Sequence, residues 1–242
     1  MFATLLLVLA SGALGDVGHD ARLYATAPLR WGGAEWGTTA AVLGTTGLLT
    51  LADAPVRDWT QEHRPTSLAT ASKVVRQAGE GRWTVPALGI LWGAGAAMGS
   101  SRESRVGREG LEAFAFSGAV SQLLKYGAGR RRPIGNDPYA WNASRDNQDG
   151  LSFPSGHAQA AWSVLTVVAL EYRGTPAVTP LAFGLAGACA LSRLYDDRHW
   201  ASDVFLGAVL GFASGWAVVH WNRHDTDSTA PQAPALRISI PF

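Results

Sequence analysis

Six apolar stretches of helical length dominate the chain: roughly Trp36–Ala52, Trp83–Ser100, Arg108–Tyr126, Gly156–Tyr172, Val178–Leu194 and Ala201–Trp221. Turn-forming residues separate them, and no alternating run of useful length lies among them, so sheet architectures are excluded and an all-α bundle of about six core helices is predicted. The 28 glycines, together with apolar stretches rich in Ala and Gly, imply helices that approach one another closely. A chain of 242 residues suits one domain with a sizeable core.

The predicted boundaries follow from composition. Residues 1–15 carry a short apolar run that closes on Ala13-Leu14-Gly15, the pattern of a secretory signal peptide, although the opening lacks Lys or Arg. The helical domain occupies 16–221. Residues 222–242, with Pro231 and Pro234 among polar groups, read as a flexible tail whose last stretch, Leu236 to Phe242, alternates and is expected to dock in extended form. A polar segment, 53–81, separates the first two apolar stretches and has room for a shorter helix near Ser67–Ala78. A loop rich in Gly, Pro, Asn and Asp spans 127–154, and a loop of that length inside a compact domain points to function or disorder.

Length and charge bear on location. The apolar runs are at or just below the roughly 20 residues that a membrane span requires, and mean hydropathy is only +0.05. A cleaved leader followed by six spans would also put "SRESRVGRE" on the outer side, against the positive-inside tendency. These observations favour an exported bundle, periplasmic or membrane-associated, with its site facing outward. The alternative is an integral multi-pass protein of the inner membrane. A formal charge of +1 argues against nucleic acid as a partner, and Cys189, the only cysteine, allows no disulfide framework and reads as a buried structural thiol.

Three short segments carry the chemistry. In "KYGAGRRRP", Lys125 precedes Arg132-Pro133 by six intervening residues; "PSGH" places Ser155, Gly156 and His157 at a helix start; in "SRLYDDRHWASD", Arg193 precedes His199 by five and Asp203 lies four residues further on. Arg132 and Arg193 offer planar forks for phosphate oxygens, and Lys125 adds a point charge. A helix start exposes N–H groups and the positive end of the macrodipole, which favour an anion. At Gly156 a side chain would hold the anion away from the backbone. Ser155 alone is explained by helix capping. A carboxylate bonded to one nitrogen of His199 would fix its tautomer and free the other as a nucleophile.

With these spacings the sequence resembles the type 2 phosphatidic acid phosphatase and vanadium haloperoxidase superfamily, over about Ala113 to Trp216. The six-residue spacing in the first segment resembles the phosphatase branch. The resemblance implies a helical core and a phosphoric monoester hydrolase acting on a phosphorylated small molecule, a lipid phosphate or a pyrophosphate. It further implies attack by His199 on phosphorus, orientation of His199 by Asp203, and protonation of the leaving alkoxide by His157. Lys125, Arg132, Ser155, Gly156 and Arg193 would bind the phosphate, with no metal and no cofactor. The alternatives are a vanadium-dependent haloperoxidase and a non-catalytic helical scaffold. Arg130 and Arg131 read as a solvated basic face, and Asp196 and Asp197 as surface carboxylates. His19, His63, His220 and His224 read as exposed or structural. Tyr139 and Trp141 are candidates to cover the pocket mouth.

Overall fold

The structure, a computed structural model, describes residues 17–135, 137–141 and 151–227; residues 1–15, expected as a signal peptide, and those beyond Asp227 lie outside them. Eight α-helices and short 3-10 turns make up the fold, with no strand among the described residues. They are α1 (residues 17–26), α2 (Gly33–His63), α3 (Ala69–Val75), α4 (Gly81–Ala97), α5 (Ser101–Ala128), α6 (Gly156–Glu171), α7 (Val178–Tyr195) and α8 (Ala201–Asp227).

Several boundaries differ from the sequence reading: α1 has no counterpart in it, and α5 begins at Ser101 instead of Arg108. The first apolar stretch does not stop at Ala52 but continues through Pro55 to His63, because its polar last third is engaged by the rest of the bundle. There Arg57 pairs with Asp197, and Gln61 Nε2 donates to the Leu194 carbonyl at 3.0 Å. The helix α8 likewise runs past Trp221, where Asn222 Nδ2 donates to Asp20 at 2.8 Å and Arg223 pairs with Glu171.

The core is built from small residues. Ala113, Val167, Val218 and Val219 join α5, α6 and α8, while Ala158, Ala190 and Val204 join α6, α7 and α8. Cys189 is buried beside Ala161 and Ala186, as a structural thiol should be. Close approach is set by a glycine at every fourth position of α8. A Cβ at Gly207 would stand 2.4 Å from the Ser155 carbonyl oxygen, at Gly211 2.3 Å from that of Gln159, and at Gly215 2.5 Å from that of Ser163. The seam therefore presses α8 against the opening of α6, which is where the second motif lies.

The outside of the bundle is apolar. Helices α2, α7 and α8 are long and apolar enough to cross a membrane by length and composition. On α2, Leu48 and Leu51 are 69% and 65% exposed, and Ile90 on α4 and Leu181 on α7 are near 70%. Exposed large apolar side chains on the helices long enough to span are what a membrane-facing surface requires.

Candidate active site

Three helix ends converge to form the site. Gly129, at φ 56°, adopts the left-handed conformation that ends α5 and bonds back to the Lys125 carbonyl at 2.9 Å, so Lys125 sits in the last turn. Its ammonium donates to the carbonyls of Leu151, at 3.0 Å, and Pro154. Ser155 caps α6, its Oγ accepting from the Ala158 N–H at 3.5 Å, and its own N–H donates to the Asp203 carbonyl at 2.9 Å. A Cβ on Gly156 would point at Lys125 Cε, 3.8 Å away, so the open face of this glycine looks toward the cation.

His199 does not lie on a helix with Asp203. It belongs to the connection before α8, and the two side chains meet because Asp203 stands in the first turn. His199 Nδ1 is 2.9 Å from the Ser152 carbonyl and 3.6 Å from Asp203 Oδ2. A carbonyl can only accept, so Nδ1 carries the proton and Nε2 keeps its lone pair. The residue expected to fix the tautomer is thus second to a backbone group. Burial holds His199 down at about 4, with Lys125 and Arg132 acting in the same direction and the Asp203 carboxylate opposing them. The ring is neutral at pH 7.

Asp203 is bonded on both oxygens. Oδ2 accepts from Ser152 Oγ at 2.5 Å and from the Trp200 N–H at 2.9 Å, the latter being the reach-back that caps α8. Oδ1 accepts from Arg130 Nη1 at 2.7 Å. Arg130 is therefore not a solvated residue. It is fully buried, with Nη2 on Asp53 Oδ2 at 2.7 Å and Nη1 on Ser202 Oγ at 2.7 Å. Asp53 in turn accepts from the Ser202 N–H at 2.9 Å and from Ser202 Oγ at 2.5 Å. Two carboxylates thus meet N–H groups at the positive end of α8. Arg131 is exposed, as expected.

Two further cations act on the histidines. Arg132 acts on the charge of both His157 and His199, and Arg193 on that of His157. Arg193 is buried, its Nη1 donates to Asp196 at 3.2 Å, and its buried Nε meets no acceptor among the described residues. His157 Nε2 lies 3.9 Å from Glu80 Oε1. A Cβ at Gly79 would be 2.5 Å from the His157 carbonyl oxygen, so the turn after α3 packs directly on the PSGH segment.

Asp196 and Asp197 are not free surface carboxylates. Asp196 accepts from Ser72 Oγ at 2.9 Å and lies 3.6 Å from Arg76. Asp197, at φ 54°, takes a left-handed turn uncommon for a non-glycine residue and is gripped by Arg57 through two bonds of 2.7 and 2.8 Å. Trp141 packs over Arg130, 4.6 Å from ring centre to guanidinium, and against Phe153, and Tyr139 is exposed. His63 and His220 bond to carbonyls within their own helices, as structural histidines do. His224 and the Asn142 sequon fall where no side chain is described.

Sequence reasoning missed Asp53, Arg130, Ser152, Arg76 and Glu80. Only Asp53 carried a signal, as a lone acid at the end of an apolar run. Among the described residues no group of three or more His, Cys, Asp or Glu side chains is arranged to hold a metal ion.

Fold and motifs together define a class: an all-helical bundle whose helix ends bring Lys125, Ser155, His199 and Asp203 into one region. The chain belongs to the PAP2 superfamily, whose sequence profile matches residues 110–227. It is 34% identical over 129 residues to a decaprenylphosphoryl-5-phosphoribose phosphatase of Mycobacterium tuberculosis, covering 52% of this chain and 68% of that one. It is 33% identical over 102 residues to a lipid A 1-phosphatase of Porphyromonas gingivalis, covering 42% of this chain but only 20% of that protein. In fold it is similar to the transmembrane PAP2-type phosphatidylglycerolphosphate phosphatase from Bacillus subtilis, with a TM-score of 0.60 and 22% identity over 76% of this chain and 95% of that one.

Proposed function

We propose that this protein is a membrane-embedded phosphatase that hydrolyses lipid phosphomonoesters through a phosphohistidine, without a metal. The observation that carries the reading is His199, whose Nδ1 is tied to the Ser152 carbonyl at 2.9 Å while Lys125 and Arg132 lie near enough to act on its charge. In the first step Nε2 attacks phosphorus, the bond from phosphorus to the leaving oxygen breaks, and His157 gives that oxygen a proton. In the second, His157 takes a proton from water, hydroxide attacks phosphorus, the P–N bond breaks and phosphate leaves. Lys125, Arg132, Arg193, Ser155 and the Gly156 N–H stabilise the charge on the equatorial oxygens.

A lipid substrate is supported by the apolar flanks of the bundle and by two relatives whose names specify lipid-borne phosphates. The same flanks favour an integral protein over the soluble or peripheral bundle expected from hydropathy, with the site facing outward. Phosphate release from p-nitrophenyl phosphate, phosphatidic acid and an isoprenoid pyrophosphate, measured with chelator present, tests the reading. Release from phosphatidic acid is the expected result, and no release from any of the three overturns it. A carbonate wash tests the membrane assignment separately.

A further inference from the structure

The basic segment that opens α5 takes no part in the site just described. With the ends of α6 and α8 it lines a cavity of about 530 Å³, whose polar walls are Arg102, Arg105, Arg173, Arg223, Asn222 and Glu171. Four guanidiniums thus face one carboxylate. That carboxylate is divided between two of them: Glu171 Oε2 accepts from Arg105 at 3.0 Å, and Oε1 accepts from Arg223 at 2.8 Å. Arg223 also donates to the Leu170 carbonyl at 2.8 Å, and Arg102 lies over the Tyr172 ring at 5.3 Å. Of the described acids nearby, Glu103 bonds to Ser100 and Tyr172, Asp20 and Glu112 pair with Arg108, and Glu109 is buried with neither oxygen hydrogen-bonded. The described lining thus carries four guanidiniums against one carboxylate, with Arg105 and Arg223 held in place by Glu171, an arrangement that suits a bidentate oxyanion.

Position identifies the source of that anion. Arg105 and Lys125 are on the same helix, 20 residues apart, which at the helical rise amounts to ~30 Å. A bilayer's hydrocarbon core is about 30 Å thick. Leu48, Leu51, Ile90 and Leu181 are exposed on the flanks of the same bundle. When one end of α5 lies at the headgroups that present substrate, the other lies at those of the opposite leaflet.

We propose that this cavity binds the phosphate of an anionic phospholipid headgroup in the leaflet opposite the substrate, an inference that rests on the membrane reading above. Among the described residues no histidine, serine or cysteine lines the cavity, and the lipid is held there and not hydrolysed. The bundle would then be fastened at both faces, by a substrate phosphate that turns over and by a structural lipid that does not.

Native mass spectrometry of the full chain, in detergent doped with phosphatidylglycerol or with phosphatidylcholine of the same acyl length, tests this. The wild type should retain phosphatidylglycerol in preference, and Arg102→Gln/Arg173→Gln should weaken that retention about tenfold, while Arg132→Gln leaves it in place. Arg173→Glu, a single change on an exposed turn, should weaken it in the same direction and serves if the double variant does not fold. Phosphate release by Arg173→Glu should match the wild type. Unchanged retention in these variants overturns the proposal, as does a loss confined to Arg132→Gln, which would put the lipid at the His199 end. Equal displacement by inorganic phosphate at the same concentration would make this a free-anion site and overturn the lipid assignment. Protein released by a carbonate wash overturns the membrane reading itself, whereas protein retained without any preference for phosphatidylglycerol overturns only the inference.

Discussion

Arg130 and Asp203 meet at 2.7 Å in the interior of the protein, and neither side chain has any exposure to solvent. The same guanidinium holds Asp53 of α2 at 2.7 Å, so one cation is shared by two buried carboxylates and links α2 to the carboxylate beside His199. Leaving a partner of such a pair uncompensated is costly.

We predict that Arg130→Gln lowers stability by about 3–5 kcal/mol, because two carboxylates lose their charge partner. Asp53→Asn should cost less, since Asp203 remains to hold the guanidinium. Thermal melting in detergent measures both, and equal melting temperatures for wild type and Arg130→Gln would contradict the network. In whatever fraction stays folded, Arg130→Lys should lower kcat more than it raises KM, since a point charge cannot hold Asp53 and Asp203 together.

His199→Ala should abolish phosphate release while leaving the fold intact. Asp203→Asn should cost about 10- to 1,000-fold, because the Ser152 carbonyl still fixes the proton on Nδ1. Rapid-quench trapping on the wild type should give an acid-labile phosphoenzyme, and an acid-stable phosphoserine at Ser155 would reverse the assigned roles.

The pH dependence follows from His199, held down at about 4 chiefly by burial. Its free-enzyme protonation should set an acid limb in kcat/KM near pH 4, well below that of an ordinary histidine at about 6.5. The sign for stability is the same. Between about pH 6.5 and 4 the unfolded chain binds the proton and the folded one does not, so this contribution is intact above pH 6.5 and declines as pH falls toward 4. Melting temperature against pH, compared with His199→Ala, isolates it.

The seam between α6 and α8 should tolerate no side chain. Gly207→Ala places a Cβ 2.4 Å from the Ser155 carbonyl oxygen, and Gly215→Ala one 2.5 Å from that of Ser163, two turns further from the site. Each should cost about 1–3 kcal/mol in melting experiments. Gly207→Ala should in addition depress turnover beyond Gly215→Ala, since it shifts the cradle itself. Equal turnover in the two would separate the seam from the site.

Vanadate should inhibit competitively by occupying the cradle of Lys125, Arg132, Ser155, Gly156 and Arg193 as a mimic of the transition state, and chelators should leave phosphate release unchanged. Activity restored only by a divalent metal would contradict a cradle of cations and N–H groups. Efficient bromide oxidation with added vanadate and peroxide would support the haloperoxidase alternative.

The sequence by itself determined the helical class and the family to which the three motifs belong. Helix periodicity and the Ser155 cap are readable because each depends on residues a few positions apart, and Lys125, Arg132, His157, Arg193, His199 and Asp203 could be named from spacing alone. What the tertiary structure decided depends on partners far apart in the chain. Arg130 sits in a run of three arginines that reads as solvated, and only the arrival of Asp53, 77 positions earlier, and Asp203, 73 later, makes it a buried cation. Asp196 and Asp197 read as surface acids until α2 and α3 bring Arg57, Ser72 and Arg76 against them. The polar last third of α2 read as part of a polar segment outside the apolar helix for the same reason, because it is fixed by the contacts it makes and not by its own propensity. The tautomer of His199 was decided by a backbone carbonyl, a group that every residue possesses and that no pattern of side chains can reveal.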